Sequence, residues 1–186
     1  MKPKTALAFT ILLLAALACT IFVGGPAYPD TPVAVSTEAV GNLNDQINAA
    51  ETAAADSGVL TLTINESQIT SLLAAKLDEQ IDPFITDPQV YLRDGAIQVY
   101  GKAVQGNLQA NIRIVLSATL DAEGKPVINV TSADFGPLPA PEGLNSAINS
   151  LVGEAFTGAI GPAAIGFRLE GLTIADGVMT LTGRTK

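Results

Sequence analysis

Hydrophobic and polar residues alternate along the stretch GNLQANIRIVLSATLD, from Gly106 to Asp121. Its even positions, from Leu108 to Leu120, are all apolar, and its odd positions are polar except for Val115. A period of two is the pattern of a β-strand with one buried face. At about 3.4 Å per residue this strand would span roughly 48 Å, whereas a domain of about 150 residues has a diameter of roughly 38 Å. The strand must therefore curve, or the domain must be elongated.

Two further alternating stretches contain Asp-Gly pairs, a strong signal for a two-residue β-hairpin. QVYLRDGAIQVYGKAV turns at Asp94-Gly95, and GFRLEGLTIADGVMTLTGR turns at Asp176-Gly177. The two hairpins match without a gap when the Asp-Gly pairs are aligned, and each follows a segment with helical periodicity. This predicts a pseudo-repeat of helix plus hairpin on either side of the long strand. Shorter strands are predicted in GVLTLTI, before the first of these helices, and in PVINVTSADFG, after the long strand.

Three segments have apolar residues at the spacing of three and four that predicts an amphipathic helix. The first runs from a Ser36 N-cap to about residue 56. The second begins after Asn65, where Gln68 completes a capping box, and is predicted to reach Ile81. The third is predicted to begin at Pro141, since proline is favoured at the first helical position. The apolar faces of the second and third helices carry Ile69, Leu72, Leu73, Leu77 and Ile81, and Leu144, Ala147, Ile148, Leu151, Val152, Ala155 and Phe156.

The order of these elements predicts an α+β fold, in which a long curved antiparallel sheet wraps around amphipathic helices. Residues 37–186 form this domain in the predicted organisation. Residues 24–36, GGPAYPDTPVAVS, contain three prolines and two glycines and are predicted to be an extended linker. Residues 1–23 form a separate N-terminal segment.

The N-terminal segment is predicted to be a membrane anchor or a signal segment. Two lysines precede an uncharged run from Thr5 to Val23, which at about 28 Å is long enough to cross a bilayer. The lysines place the N-terminus in the cytoplasm and the bulk of the chain outside it. Three alternatives stay open: an uncleaved single-span anchor, a lipoprotein signal with Cys19 as the lipidated residue, and a signal cleaved after Ala18. Each places the protein at the cell membrane or beyond it.

Composition excludes several classes of function. The chain has no histidine, and its one cysteine lies in the apolar N-terminal run, so the commonest general base and metal ligand are missing and a disulfide within the chain is excluded. After Val23 there are 8 Lys and Arg against 18 Asp and Glu, a balance that repels nucleic acid. We therefore expect no enzyme of acid–base, nucleophilic or metal type, no cofactor, no metal ion and no nucleic-acid partner.

Three stretches together, QVYLRDGAIQVYGKAVQGN, ADFGPLPAPEGLNSAINSLVG and FRLEGLTIADGVMTLTGR, carry a family resemblance. A glycine before a proline-rich break, an amphipathic helix and a last hairpin on Asp-Gly resemble the envelope proteins of the LmeA, YpmS and YceB type, grouped with the tubular lipid-binding (TULIP-like) superfamily. The resemblance covers Leu60 to Arg184. It implies a half-barrel sheet around a helix, a hydrophobic groove for a lipid or another acyl-chain ligand, and no catalytic residues.

The expected groove lies between the long strand and the helices, with the membrane and a lipid or other apolar small molecule as partners. Small inward residues such as Ala110 and Ala118 and the low aromatic content, 5%, favour a gap. The alternative is a filled core, which would make the domain a structural or protein-interaction module of the cell envelope. The residues expected to line the groove are Leu72, Leu73, Leu77, Leu108, Ala110, Ile112, Ile114, Leu116, Ile148, Leu151, Val152 and Phe156.

Overall fold

The computed structural model describes residues 20–81, 83–140, 146 and 167–185. The third predicted helix, over residues 144–156, lies outside the described residues except for Ser146. In chain order the described elements are β1 (Ile21–Phe22), α1 (Thr37–Ser57), β2 (Val59–Asn65), α2 (Glu66–Asp78), β3 (Thr86–Arg93), β4 (Ala96–Gln105), β5 (Leu108–Leu120), β6 (Pro126–Asp134), β7 (Phe167–Ala175) and β8 (Val178–Thr185).

The described strands form two sheets. The larger has the order β1-β5-β4-β3, and β6 pairs with the same edge of β5 as β1 does, further along the strand. Its pairs are antiparallel except for β1, which runs parallel to β5. The smaller sheet has the order β2-β8-β7 and is antiparallel. The molecule is α+β with a strongly curled half-barrel sheet, as the sequence predicts.

Both predicted hairpin turns are confirmed. Asp94 and Gly95 have φ of 54° and 72°, and Asp176 and Gly177 have φ of 51° and 79°. Two consecutive positive φ angles define the type I′ turn, whose twist matches that of the flanking strands. In both hairpins the residues that flank the turn are paired directly with each other. The related sequences therefore form the same local structure, although β3 and β4 belong to the larger sheet and β7 and β8 to the smaller one.

The helix starts follow the predicted caps. The Ser36 hydroxyl accepts a hydrogen bond from the Ala39 N–H at the start of α1. At the start of α2, Asn65 and Gln68 form both hydrogen bonds of the capping box, at 2.9 and 3.0 Å. Since a side-chain acceptor satisfies an N–H group that the helix itself leaves free, these local signals predict helix starts well.

The predicted end of α2 at Ile81 is wrong. The helix ends at Asp78, and the Ile81 side chain is exposed rather than part of the apolar face. The Gln80 amide donates to the Leu77 carbonyl at 3.0 Å, three residues back rather than four, and the carboxylates of Asp78 and Glu79 oppose the helix dipole at this end, so the helix is not continued.

The chain enters the described region as a strand. Ile21 and Phe22 form β1 beside Leu108 and Gln109 of β5, whereas the predicted apolar span runs on to Val23. Within the described ranges, no helix has the length and apolar character needed to cross a membrane. Residues 1–19, with Cys19, lie outside those ranges.

Residues 24–36, predicted to be an extended linker, are extended but lie against the outer face of the larger sheet and against α2. We call this segment the strap. Its hydrogen bonds, in chain order, are Asn111 N to Gly24 O (2.9 Å), Asn111 Nδ2 to Pro26 O (3.2 Å), Tyr28 Oη to Asp87 O (2.5 Å), Tyr91 Oη to Thr31 O (2.7 Å), Val33 N to Gln89 Oε1 (2.5 Å), Ser67 Oγ to Ala34 O (2.7 Å) and Ser36 N to Ser71 Oγ (3.0 Å). The strap therefore joins β5, β3 and α2 rather than standing apart from the domain.

Helix α2 covers the free edge of β3 with polar side chains. The Thr70 hydroxyl accepts a hydrogen bond from Val90 N at 3.1 Å, and the Glu66 carboxylate accepts one from Leu92 N at 2.8 Å. An edge strand leaves such N–H groups without a strand partner, and burial without any partner is costly. These contacts explain why Thr70 is buried while Leu72, predicted to face the core, is only partly buried.

The core is one hydrophobic cluster that includes residues of both sheets and both described helices. Helix α1 contributes Leu43, Ile47 and Ala54, and α2 contributes Leu77. The alternating apolar residues of β2, Leu60, Leu62 and Ile64, are each at most 2% exposed. The cluster thus places the apolar face of every long described strand toward one interior, and the inner face of the larger sheet is part of it.

Candidate functional site

The inner face of the larger sheet is a continuous apolar surface formed by β4 and β5. Facing residues pair across the two strands as Ala103 with Ala110, Gly101 with Ile112, Val99 with Ile114, and Ile97 with Leu116. Each apolar side chain in these pairs is at most 8% exposed. The side chains of this surface are small at its Ala103 end and larger at its Leu116 end. We call the part formed by Gly101, Ala103 and Ala110 the narrow end of the inner face.

The structure brings the predicted residues of β5 together. Ala110, Ile112, Ile114 and Leu116 share the inner face and are 0–3% exposed. Leu108 differs, because it lies at the start of the strand and is 40% exposed. Strict alternation groups Leu108 with the others, but the sheet ends there and the side chain is left partly open to solvent.

The predicted residues of α2 contribute to the same core from another direction. Leu77 is 3% exposed, and Leu72 and Leu73 are partly buried against the cluster. The main contacts of α2 are with β3 and α1 rather than with β5. The remaining predicted residues, Ile148, Leu151, Val152 and Phe156, lie outside the described residues.

The narrow end of the inner face is closely packed. A Cβ atom added at Gly101 would overlap the Cγ2 methyl group of Ile85, so the Ile85 side chain occupies the space that the glycine leaves. Ala110, across from Ala103, is itself fully buried. Three clefts bounded by described residues lie elsewhere, and none of them is lined by a residue predicted for the groove.

The outer face of the same sheet carries an aromatic and cationic cluster that sequence reasoning missed. It contains all three tyrosines of the chain. Tyr91 and Tyr100 meet edge to face, with their ring centroids 5.7 Å apart. Each tyrosine ring also has a cationic side chain over it: Arg93 over Tyr91 at 5.9 Å, Lys102 over Tyr28 at 5.8 Å and Arg113 over Tyr100 at 5.7 Å. Cations are attracted to the electron-rich faces of aromatic rings.

The charges of this face are paired across elements. Lys102 Nζ lies 2.6 Å from Asp87 Oδ2, and Arg93 forms an ion pair with Glu66 at the start of α2. Burial, with a smaller contribution from the charge of Asp87, raises the pKa of Tyr28 to about 12. The Tyr28 hydroxyl therefore stays protonated near neutral pH and can donate its hydrogen bond to the Asp87 carbonyl.

Two clefts lie between the strap and the sheet. The first, about 410 Å³, is bordered by Tyr28, Asp87 and Lys102. The second, about 300 Å³, is bordered by Tyr91, Tyr100 and other residues of the strap and sheet. Both clefts are mixed in polarity, and the cations beside them already have partners on the protein. We therefore interpret the aromatic and cationic cluster as the surface against which the strap packs. The sequence gives one signal for this cluster: Tyr91, Tyr100 and the cations all occupy polar positions of the alternating pattern, in strands that are neighbours in the sheet.

Within residues 20–81, 83–140 and 167–185, no three Cys, Asp or Glu side chains come close enough to hold a metal ion. In comparisons with known proteins, neither a family model nor a curated protein matches the chain. The resemblance to envelope proteins of the LmeA, YpmS and YceB type thus stays a prediction.

Proposed function

We propose that this protein is tethered to the cell membrane and, outside the cytoplasm, holds a lipid or another apolar ligand against the inner face of its larger sheet. The observation that carries this proposal is the apolar surface of β4 and β5, which is continuous over four facing pairs of residues. It belongs to a curled sheet, the shape that can surround an elongated ligand. The described helices pack mainly on β2 and β3, and the main contact of β5 outside its own sheet is with β7.

Apolar burial alone would supply enough affinity. Each buried methylene group contributes about 0.8 kcal/mol, so a dozen of them give on the order of 9 kcal/mol before the costs of ordering the ligand. Micromolar binding is therefore reachable without a charged contact. The excess of acidic residues outside the core favours a headgroup that stays in water. We expect binding without chemical conversion, since histidine is absent and the only cysteine is in the N-terminal run.

The proposed tether rests on the N-terminal sequence. The uncharged run from Thr5 is preceded by Lys2 and Lys4, the arrangement of a segment that keeps its N-terminus in the cytoplasm. The strap follows this run directly, so a tether of this kind would be joined to the domain through hydrogen bonds and not through a free linker.

The second candidate is a structural or protein-interaction module with a filled core. Ala110 and Ile112 are 0% exposed and Ile114 is 2% exposed, and Ile85 fills the space over Gly101. Close packing of this kind is what a core without a ligand requires. If a ligand lies against the narrow end of the inner face, a larger side chain there takes the place of the ligand. If the core is filled, protein atoms already occupy that space and a larger side chain does not fit.

Mass spectrometry of lipid extracted from the purified full-length protein separates the candidates. Lipid held around a membrane tether would be the same in every variant, so the comparison is between Ala110→Leu, which enlarges an inner-face residue, and Asn129→Ser, which changes an exposed residue of β6. If the inner face holds a ligand, Ala110→Leu should lose one class of bound lipid, and Asn129→Ser should keep it.

The free energy of unfolding provides the second readout. In a filled core, the larger side chain of Ala110→Leu has no space, and the cost should be about 1–3 kcal/mol. Identical lipid content in both variants, together with that loss of stability in Ala110→Leu alone, would contradict the ligand proposal and favour the filled core.

A further inference from the structure

Exposed apolar side chains gather at one end of the larger sheet. Among the described residues eight large hydrophobic side chains are exposed, and four of them lie here: Ile21 (60%), Phe22 (58%), Val104 (43%) and Leu108 (40%). We call these four residues the apolar end. They come from β1 and from the β4–β5 hairpin, and the amide of Ile21 donates to the Asn107 carbonyl at 2.7 Å.

The apolar end exposes hydrophobic side chains on both faces of the sheet. Ile21 is the register partner of Leu108, so these two share the face that continues into the inner surface. Phe22 and Val104 are both register partners of Gln109, so they share the opposite face. A surface that is apolar on one side could be covered by a single helix or sheet. A thin edge that is apolar on both sides is suited to insertion into an apolar medium.

Charge distinguishes this end from the rest of the molecule. The chain has 18 Asp and Glu residues and a net charge of −8, yet residues 95–120, which include β4 and β5, contain neither Asp nor Glu. The charges in this stretch are the cations Lys102, which is paired with Asp87 of β3, and Arg113. The acidic surface elsewhere would be repelled by anionic lipids, whereas this hairpin would not.

The apolar end also lies where the chain leaves the described region. Ile21 follows Thr20, the first described residue, and the uncharged run that begins at Thr5 comes immediately before it. If that run crosses the bilayer, Ile21 and its neighbour Leu108 are within a few residues of the membrane surface, each residue adding at most about 3.4 Å. The position of the apolar end, its two-sided character and its lack of acidic residues all point to the same partner.

We infer that the apolar end inserts into the surface of the lipid bilayer from which the chain emerges. The inference rests on the proposed membrane tether and adds a second, independent contact with lipid. It orients the domain with the β4–β5 hairpin toward the membrane. The Ala103–Ala110 end of the inner face is then its nearest part to the bilayer, which is where an apolar ligand would enter or leave.

Tryptophan fluorescence tests the inference, because the chain contains no tryptophan and each variant then carries one reporter. Full-length Leu108→Trp, Val59→Trp and Leu13→Trp are reconstituted in phosphatidylcholine vesicles with and without bromine on the acyl chains. Bromine quenches only tryptophan that is in contact with the acyl region. Val59 is the matched control, since it is 48% exposed but belongs to the smaller sheet, and Leu13 reports on the tether.

The expected result is loss of most of the fluorescence at positions 108 and 13 in brominated vesicles, with little loss at 59. Quenching at 13 with no more quenching at 108 than at 59 overturns the inference and leaves the tether standing. Quenching at 108 without quenching at 13 supports insertion and contradicts the tether. Val104→Trp, on the other face of the same end, gives the same readout if Leu108→Trp does not fold.

Discussion

Gly101 lies at the narrow end of the inner face, where it pairs with Ile112. An added methyl group would overlap Ile85 Cγ2 and lie 3.2 Å from the Thr86 carbonyl oxygen. Because the Ile85 side chain is β-branched and 4% exposed, it has little freedom to move away, and we expect Gly101→Ala to lower the free energy of unfolding by about 1–3 kcal/mol in urea titrations. Gly41→Ala is the control, since no atom lies within 4 Å of its added methyl group inside α1. It should raise stability by roughly 0.5–1 kcal/mol, and an equal loss at both glycines would contradict the close approach at Gly101.

At the scale of elements, the docking of α2 on β3 depends on a hydroxyl group rather than on leucine. Thr70 is fully buried, and its Oγ1 accepts the hydrogen bond of the Val90 amide, which is also fully buried. Thr70→Val keeps the shape of the side chain but leaves that amide without an acceptor, so we expect a loss of about 1–3 kcal/mol in the free energy of unfolding. Thr63→Val makes the same change at an exposed position of β2 and should be nearly neutral. Comparable losses in both variants would show that the hydrogen bond is not what the threonine contributes.

At the scale of the whole molecule, the strap connects the N-terminal run to the sheet and to α2. Tyr91→Phe removes the hydroxyl that donates to the Thr31 carbonyl, while the Tyr100 hydroxyl donates to Gln98 within β4 and does not bond to the strap. A hydrogen bond of this kind contributes about 1 kcal/mol, so without it the strap should open more often. Hydrogen exchange of the neighbouring Val33 amide should then be roughly fivefold faster in Tyr91→Phe than in wild type. Tyr100→Phe should leave that exchange rate unchanged. Equal rates in wild type and Tyr91→Phe would mean that this contact does not hold the strap in solution.

Local signals in the sequence were sufficient for most of the described elements. Alternation predicted β5 with its bounds, the Asp-Gly pairs predicted both type I′ turns, and Asn65 with Gln68 predicted the start of α2. Each of these features depends on groups within a few residues of one another, so a short stretch of the sequence includes all the residues that determine it. Four of the predicted groove residues, those of β5 from Ala110 to Leu116, share one face for the same reason, because a strand places every second side chain on one side.

Contacts between distant parts of the chain had no such signal. The proline-rich composition of residues 24–36 predicted a linker, but the acceptors and donors that hold the strap, Tyr91 and Asn111 among them, are on strands far away in the sequence. Alternation classed Asn111 as a surface position, and only the fold brings Pro26 to it.

By itself the sequence determined the periodicities, turns and caps of this protein, and with them its α+β class, because these depend on backbone geometry and on neighbouring residues. The tertiary structure decided which faces are covered. It buried Thr70 because β3 is an edge strand whose amides need acceptors. It exposed Leu108, in phase with the buried residues of β5, because the sheet ends beside β1. Burial depends on what lies across a face, and that is set by the packing of segments far apart in the chain, which no local pattern records.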